Sequence, residues 1–135
     1  MNYWAIIAAA ASNMVIGGLW YGPLFGKSWL RLIGATPEQL DAAKQKGMAK
    51  TYLAAFVGAL VMASVMSWLV TSLGSNKLGQ GILNGTAVWL GFVATVLLGG
   101  YLWSPARKSW SLYLLDSSYY LVTLAVMGAI LATWR

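Results

Sequence analysis

Four long stretches without a charged side chain constrain this chain more than any other feature. Met1 to Gly26, Thr51 to Asn76 and Leu78 to Ala106 contain no Asp, Glu, Lys or Arg. Ser117 to Trp134 is a fourth such run, and it reaches back to Ser109 if Asp116 is tolerated. A helix rises 1.5 Å per residue, so about 20 residues cross a hydrocarbon core of about 30 Å. Lipid offers the backbone no hydrogen-bond partner, so spans of this length have to be helices. The pattern predicts spans near 3–25, 51–73, 82–103 and 111–134, in a single transmembrane domain covering 1–135. Composition agrees. The chain is 59% hydrophobic and 9% charged, against about 25% charged in an ordinary soluble domain. The expected fold class is an all-α membrane protein, a four-transmembrane-helix bundle.

Several chemistries are excluded at the outset. The chain has no His and no Cys, which removes imidazole proton shuttles, His/Cys zinc sites, disulfides and thiol nucleophiles. Its three acids are Glu38, Asp41 and Asp116. The first two lie in a polar loop and read as a solvated helix start. No paired carboxylate emerges, so neither enzymatic activity nor a catalytic residue is expected, and no cofactor or metal. The net charge of +6 belongs to bases flanking apolar runs, which points to topology rather than to nucleic acid.

Those bases also give the orientation. Lys27, Arg31, Lys44, Lys46 and Lys50 follow the first span, and Arg107 and Lys108 follow the third. The opposite side has only Lys77 and Arg135. The basic side is expected to be cytoplasmic, with both termini outside (N-out/C-out). The run Ala8 to Ser12 looks cleavable, but no basic segment precedes it and the apolar stretch continues to Trp20, so it reads as membrane span. Trp4, Trp20, Trp29, Trp68, Trp103, Trp110 and Trp134 lie near predicted span ends, as an aromatic belt would. A cytoplasmic loop over 27–50 is expected to hold one short helix. Thr36 would be its N-cap, Pro37 its first residue, and Gln39 would close a capping box.

The two halves echo each other. Gly17, Gly18, Trp20, Pro23, Lys27, Ser28 and Trp29 recur in order as Gly99, Gly100, Trp103, Pro105, Lys108, Ser109 and Trp110. This reads as two duplicated helical hairpins, parallel repeats about an axis along the membrane normal. Helices in lipid associate by close backbone approach, so small residues should mark contacts. Gly22 on the first span and Ala55, Ala59, Ala63 and Ser67 on the second are the leading packing candidates. Gly18 and Gly26 on the first span, Gly81, Gly85, Gly91, Thr95 and Gly99 on the third, and Ala125, Ala129, Gly128 and Ala132 on the fourth are further small positions.

Few residues carry polar chemistry inside the spans. Asp116 is the one acid there, and an intramembrane ionisable group is a functional candidate by default. Its plainer reading is an interfacial ion pair with Lys108, Arg107 or a base of the first loop. Tyr119 and Tyr120 are placed to hydrogen-bond it. Asn13 and Thr95 occupy corresponding mid-span positions and should face the bundle or an oligomer interface. As a set, Asn13, Thr95, Asp116, Tyr119 and Tyr120 form either a polar pathway or interhelical contacts.

The stretch Asn13-Met14-Val15-Ile16-Gly17-Gly18-Leu19-Trp20-Tyr21-Gly22-Pro23-Leu24-Phe25-Gly26-Lys27-Ser28-Trp29 resembles the N-terminal signature of the DUF1761 family. The tail from Tyr119-Tyr120-Leu121-Val122 through Met127 to Trp134 is similar to that family's C-terminal end. The resemblance implies a small multi-span membrane protein and carries no activity. The family's C-terminal helix often has Asn in the region of Asp116, so a charge-dependent role there is not implied for the family as a whole. Two functions compete: a homo-oligomeric transporter, channel or solute-binding module, and a non-transporting structural or regulatory accessory protein. The expected partners are the lipid bilayer, further copies of the chain, and a small solute or lipid. A bacterial plasma (inner) membrane is the expected location.

The natural absence of Cys makes orientation directly measurable. A single cysteine placed in the loop after the third span is expected to label with an impermeant thiol reagent only from the cytoplasmic face. Labelling only from outside reverses the topology.

Overall fold

Asn2 starts the first helix. Its Oδ1 accepts from the backbone N–H groups of Trp4 at 3.1 Å and Ala5 at 3.2 Å, satisfying donors that a helix start leaves orphaned. The structure, a computed structural model, describes residues 2–104 and 109–134. Those residues form six helices: α1 (Tyr3–Leu24), α2 (Gly26–Ile33), α3 (Pro37–Gln45), α4 (Ala49–Ser72), α5 (Leu78–Leu102) and α6 (Trp110–Thr133). The four longest, α1, α4, α5 and α6, are long and apolar enough to cross a membrane. The regular structure of the described residues is all helical, and the length and apolar composition of four helices are those of an integral membrane protein.

Element boundaries have local causes. The third span starts at Leu78 and not near 82, because the Gln80 side-chain carbonyl accepts from the Asn76 and Lys77 N–H groups at 2.9 and 3.3 Å. Thr36 and Gln39 form a reciprocal cap. Thr36 Oγ1 accepts from Gln39 N at 3.1 Å, and Gln39 Oε1 accepts from Thr36 N at 2.9 Å. The first loop holds two helices where one was expected. The added one, α2, half-buries Trp29 and Leu30 and exposes Lys27 and Arg31. Gly34 ends it in the left-handed region at φ 76°, where Gly has no Cβ penalty.

Two widened, π-type turns interrupt the spans. At Trp20–Leu24, Pro23 lacks an N–H and Gly22 leaves helical geometry at φ −109°, ψ −106°. Phe25 N–H then donates five residues back, to Trp20 O at 2.9 Å. A Cβ on the following Gly26 would lie 2.7 Å from Tyr21 O, so this bend admits only glycine. In α5 the turn Trp89–Val93 is likewise widened, with Ala94 N–H donating to Trp89 O. Such turns are rare and have identifiable local effects. Here, inward positions step from Gly81 to Gly85 to Trp89 by four and then to Ala94 by five.

The last helix, α6, is the hub. It packs on α1, α4 and α5, and α2 also touches it. The α5–α6 contact is the most intimate. A Cβ added to Gly81 would meet Gly128 O, one on Gly85 would meet Leu124 O, and one on Gly128 would meet Gly81 O. Backbone lies directly on backbone. On the other side, Ala5, Ala9 and Ala10 of α1 pack with Ala59, Ala63, Met66 and Val70 of α4 and with Leu124, Met127 and Leu131 of α6. Except for Ala59, near the middle of α4, these residues lie in the half of the bundle away from the basic loops. In α4, Ala59, Ala63 and Ser67 are buried, whereas Ala55 is exposed and borders a cleft. Gly22 is not a packing residue: a Cβ there would meet nothing within 4 Å. Its place is in the backbone break.

The two motif copies have different surroundings. Trp20 is half-buried whereas Trp103 is 87% exposed, and Trp29 is half-buried whereas Trp110 is exposed. Gly18 and Gly100 are both exposed, with Gly17 and Gly99 half-buried. Pro105 and Lys108 lie outside the described residues, as do Arg107 and Arg135.

Gly128→Leu and Ala63→Leu are each expected to lower stability in detergent by about 1–3 kcal/mol through overpacking. Gly100→Leu, which meets open space, should stay within about 0.5 kcal/mol of wild type. Thermal unfolding of the three variants measures this. Equal melting of all three would remove close approach as the basis of assembly.

Candidate functional site

On α6, Asp116, Tyr119, Tyr120 and Thr123 follow the i, i+3, i+4, i+7 spacing and form one stripe. Asp116 is six residues from the first residue of α6, about 9 Å along the axis. Thr123 lies about 10 Å further in and is fully buried.

Neighbouring helices answer this stripe. Tyr21 Oη donates to Asp116 Oδ1 at 2.6 Å and Tyr101 Oη donates to Asp116 Oδ2 at 3.0 Å. Each carboxylate oxygen thus holds a phenol from a different span. Hydrogen bonds to an ionised acceptor are the strong ones. Deeper, Tyr119 Oη donates to Asn13 Oδ1 at 2.6 Å and contacts Asn13 O at 3.2 Å. Gly17 leaves room for this phenol: a Cβ there would lie 3.1 Å from Tyr119 Oη.

This pairing corrects the sequence reading in three ways. Tyr119 and Tyr120 do not hydrogen-bond Asp116. A tyrosine ring is long and rigid, so its hydroxyl overshoots a neighbour one turn away, and that of Tyr119 finds Asn13 on the facing helix. The second correction is Thr95, which is exposed and donates to Gly91 O of its own helix at 2.8 Å. The widened turn just before it swings it away from the interior, so it does not join Asn13. The third is that Trp20 and Trp29, expected as belt residues, make specific contacts within the bundle. Trp20 Nε1 donates to Leu115 O at 3.0 Å, and Trp29 packs edge-on to Tyr21 with centroids 5.3 Å apart.

Four residues of the site were not singled out from sequence: Tyr21, Tyr101, Trp89 and Tyr113. Trp89 Nε1 donates to Ser117 O at 2.7 Å, and Tyr113 Oη donates to Ala94 O at 2.8 Å. A signal existed for Trp89. It is the one Trp far from a predicted span end, and an indole N–H at that depth has to find an acceptor. Trp20 and Trp89 each begin a widened turn, and their indoles grip α6 at carbonyls two residues apart.

Two clefts open among these groups, in the half of the bundle nearer the basic loops. The larger, about 650 Å³, lies between α1, α4 and α6, with Asn13, Tyr119 and Tyr120 among its walls and Leu40 and Lys44 of α3 over it. The smaller, about 410 Å³, is bounded by Tyr21, Trp29, Leu97, Asp116 and Tyr120. Tyr21, Trp29 and Tyr120 line both. Asn13 and Asp116 therefore sit in adjoining clefts that share an aromatic wall.

Over residues 4–132 the chain matches the family model described as Protein of unknown function (DUF1761). It belongs to the DUF1761 family. No curated protein and no solved structure matches it. In this DUF1761 chain the Asn13–Trp29 stretch alone supplies Asn13, Gly17, Trp20, Tyr21 and Trp29 to the site.

The Asn13–Tyr119 bond is open to a double-mutant cycle of Asn13→Leu and Tyr119→Phe. The expected coupling is about 0.6 kcal/mol, within the range measured for interhelical bonds in lipid. Strictly additive losses in unfolding free energy would show that the bond contributes nothing.

Proposed function

We propose that this DUF1761 chain is a homo-oligomeric transport or solute-binding module. The observation that supports this reading is the uneven bundle. Around Asn13 and Asp116 it holds clefts whose mainly apolar and aromatic walls carry these few polar groups. Beyond them, Ala5, Ala9, Ala63, Met66, Leu124 and Met127 close an apolar core. A site near the midplane, reachable from one side and sealed from the other, is what alternating access needs. Buried polar groups are expensive in lipid and commonly mark solute pathways.

The oligomer follows from thinness. The α5 helix packs chiefly on α6 and leaves Leu83, Leu90, Phe92 and Val96 exposed, and one protomer offers little enclosed volume. We place the basic loops in the cytoplasm of a bacterium, in its plasma membrane, and read the two hairpins as parallel repeats. No catalytic step is assigned. The second reading is a non-transporting accessory protein. In its favour, Tyr21, Tyr101 and Tyr119 all bond within the bundle, as interhelical glue would.

Proteoliposome flux over a panel of amines, amino acids, sugars and inorganic ions separates the two. Transport predicts a saturable signal for at least one solute. Asp116→Asn is expected to cut it about tenfold or more, the value of a charge-assisted hydrogen bond. No signal from wild type with any solute supports the accessory reading.

A further inference from the structure

The smaller cleft has walls that sort ligands by charge. Three of its five lining residues are aromatic (Tyr21, Trp29 and Tyr120), one is the Asp116 carboxylate and one is Leu97. An aromatic face is the negative part of its quadrupole and attracts a cation within about 6 Å of the ring centre. Tyr21 and Trp29 are held edge to face, with centroids 5.3 Å apart.

The carboxylate adds the full charge. Its two oxygens offer about four acceptor positions, of which Tyr21 and Tyr101 take one each. Among the described residues the hydrogen-bond donors on it are these neutral phenols. They stabilise the charge without cancelling it, and acceptor capacity remains.

Other ligand classes fit less well. An anion meets the Asp116 carboxylate and is repelled. A neutral solute gains only buried area. A small inorganic cation needs six or more oxygen ligands, and this lining is mainly carbon. A weakly hydrated organic cation matches all five walls. The volume of about 410 Å³ lies within the range of small-molecule sites. The basic residues at this end draw anionic headgroups around them, which offsets their repulsion of a cationic ligand.

We propose that the cleft between Tyr21, Trp29, Leu97, Asp116 and Tyr120 binds an organic ammonium group, with its charge on Asp116 and its alkyl surface on the rings. This rests on the solute-binding reading and names its ligand class. The group arrives either as a free amine or as an amine-bearing lipid headgroup, since the chemistry is the same.

The test uses the full chain in phosphatidylglycerol nanodiscs, with labelled choline as the probe. Saturable binding is expected, displaced by tetramethylammonium and about tenfold or more less well by 3,3-dimethyl-1-butanol, the uncharged isostere. Asp116→Asn should weaken binding about tenfold or more, because the quaternary ammonium loses its opposite charge. Because Asp116 also ties three spans together, Trp29→Leu on the peripheral α2 serves as the second variant, with an expected loss of about two- to fivefold.

Equal displacement by the isostere overturns the proposal. So does unchanged binding in Trp29→Leu and a folded Asp116→Asn, or no binding by wild type. Binding seen only in Arg107→Gln/Lys108→Gln assigns the cage to the chain's own bases and overturns it too. Competition by added phosphatidylcholine identifies a headgroup as the source, and its absence a free amine; both support the cage. Choline binding without flux keeps the cage and removes transport. Flux of another solute without ammonium binding does the reverse.

Discussion

Hydrocarbon supplies no hydrogen-bond partner, so the polar groups that α6 carries into the membrane turn to its own backbone, as Ser118 and Thr133 do, or to a facing helix, as Asp116 and Tyr119 do. That demand organises the bundle. Asp116 draws Tyr21 from α1 and Tyr101 from α5, and Tyr119 draws Asn13. The α6 carbonyls of Leu115 and Ser117 each take an indole N–H as well. The helix richest in polar groups is therefore the one that touches every other span. A centrally placed α6 is the cheapest way to satisfy Asp116 from two sides.

Side-chain size then decides where the bundle is tight. Away from the basic loops the contacts are Gly81, Gly85 and Gly128, or Ala9, Ala10 and Ala63, and the helices close on one another. Towards those loops the facing residues are Tyr21, Trp29, Tyr119 and Tyr120, whose rings hold the backbones apart. Small residues at one end and large aromatics at the other splay the rods. The clefts are a result of that splay. The α3 helix, started by the Thr36 cap, brings Leu40 and Lys44 over the larger one.

How much of this is legible in the sequence follows from how local each feature is. A span needs only its own run of apolar residues, and a capping box needs only Thr36 and Gln39. Both can be read directly. So can the polar positions themselves, because Asn13, Asp116 and Tyr119 stand out against an apolar background. Who bonds whom cannot be read from one helix. The partners of Asp116 depend on the register of α1 and α5 against α6, and two widened turns set that register. Nothing in the string Trp89-Leu90-Gly91-Phe92-Val93 announces a five-residue turn. With a regular turn, the inward positions of α5 would keep stepping by four and miss Ala94. Helix α2 was hidden for a similar reason: the span was expected to give way to a loop at 27, whereas here Gly26 lets the chain bend and restart as a helix.

The same geometry limits how the clefts could be continued across the bilayer. Between α5 and α6 the backbones are in direct contact through Gly81, Gly85 and Gly128. Such a contact has no side chain to reorient, so it yields as a whole or not at all. Along α1 and α6 the contacts are side chains: Asn13 with Tyr119, Tyr21 with Asp116, Trp20 with the Leu115 carbonyl. Each can exchange its hydrogen bond for one to a bound solute or water at nearly constant energy. The α1 helix also carries its break at Gly22, at the cleft end of this seam. Any movement that extended the cleft would therefore separate α1 from α6 and leave the α5–α6 pair intact. A ligand at Asp116 would sit where that separation begins.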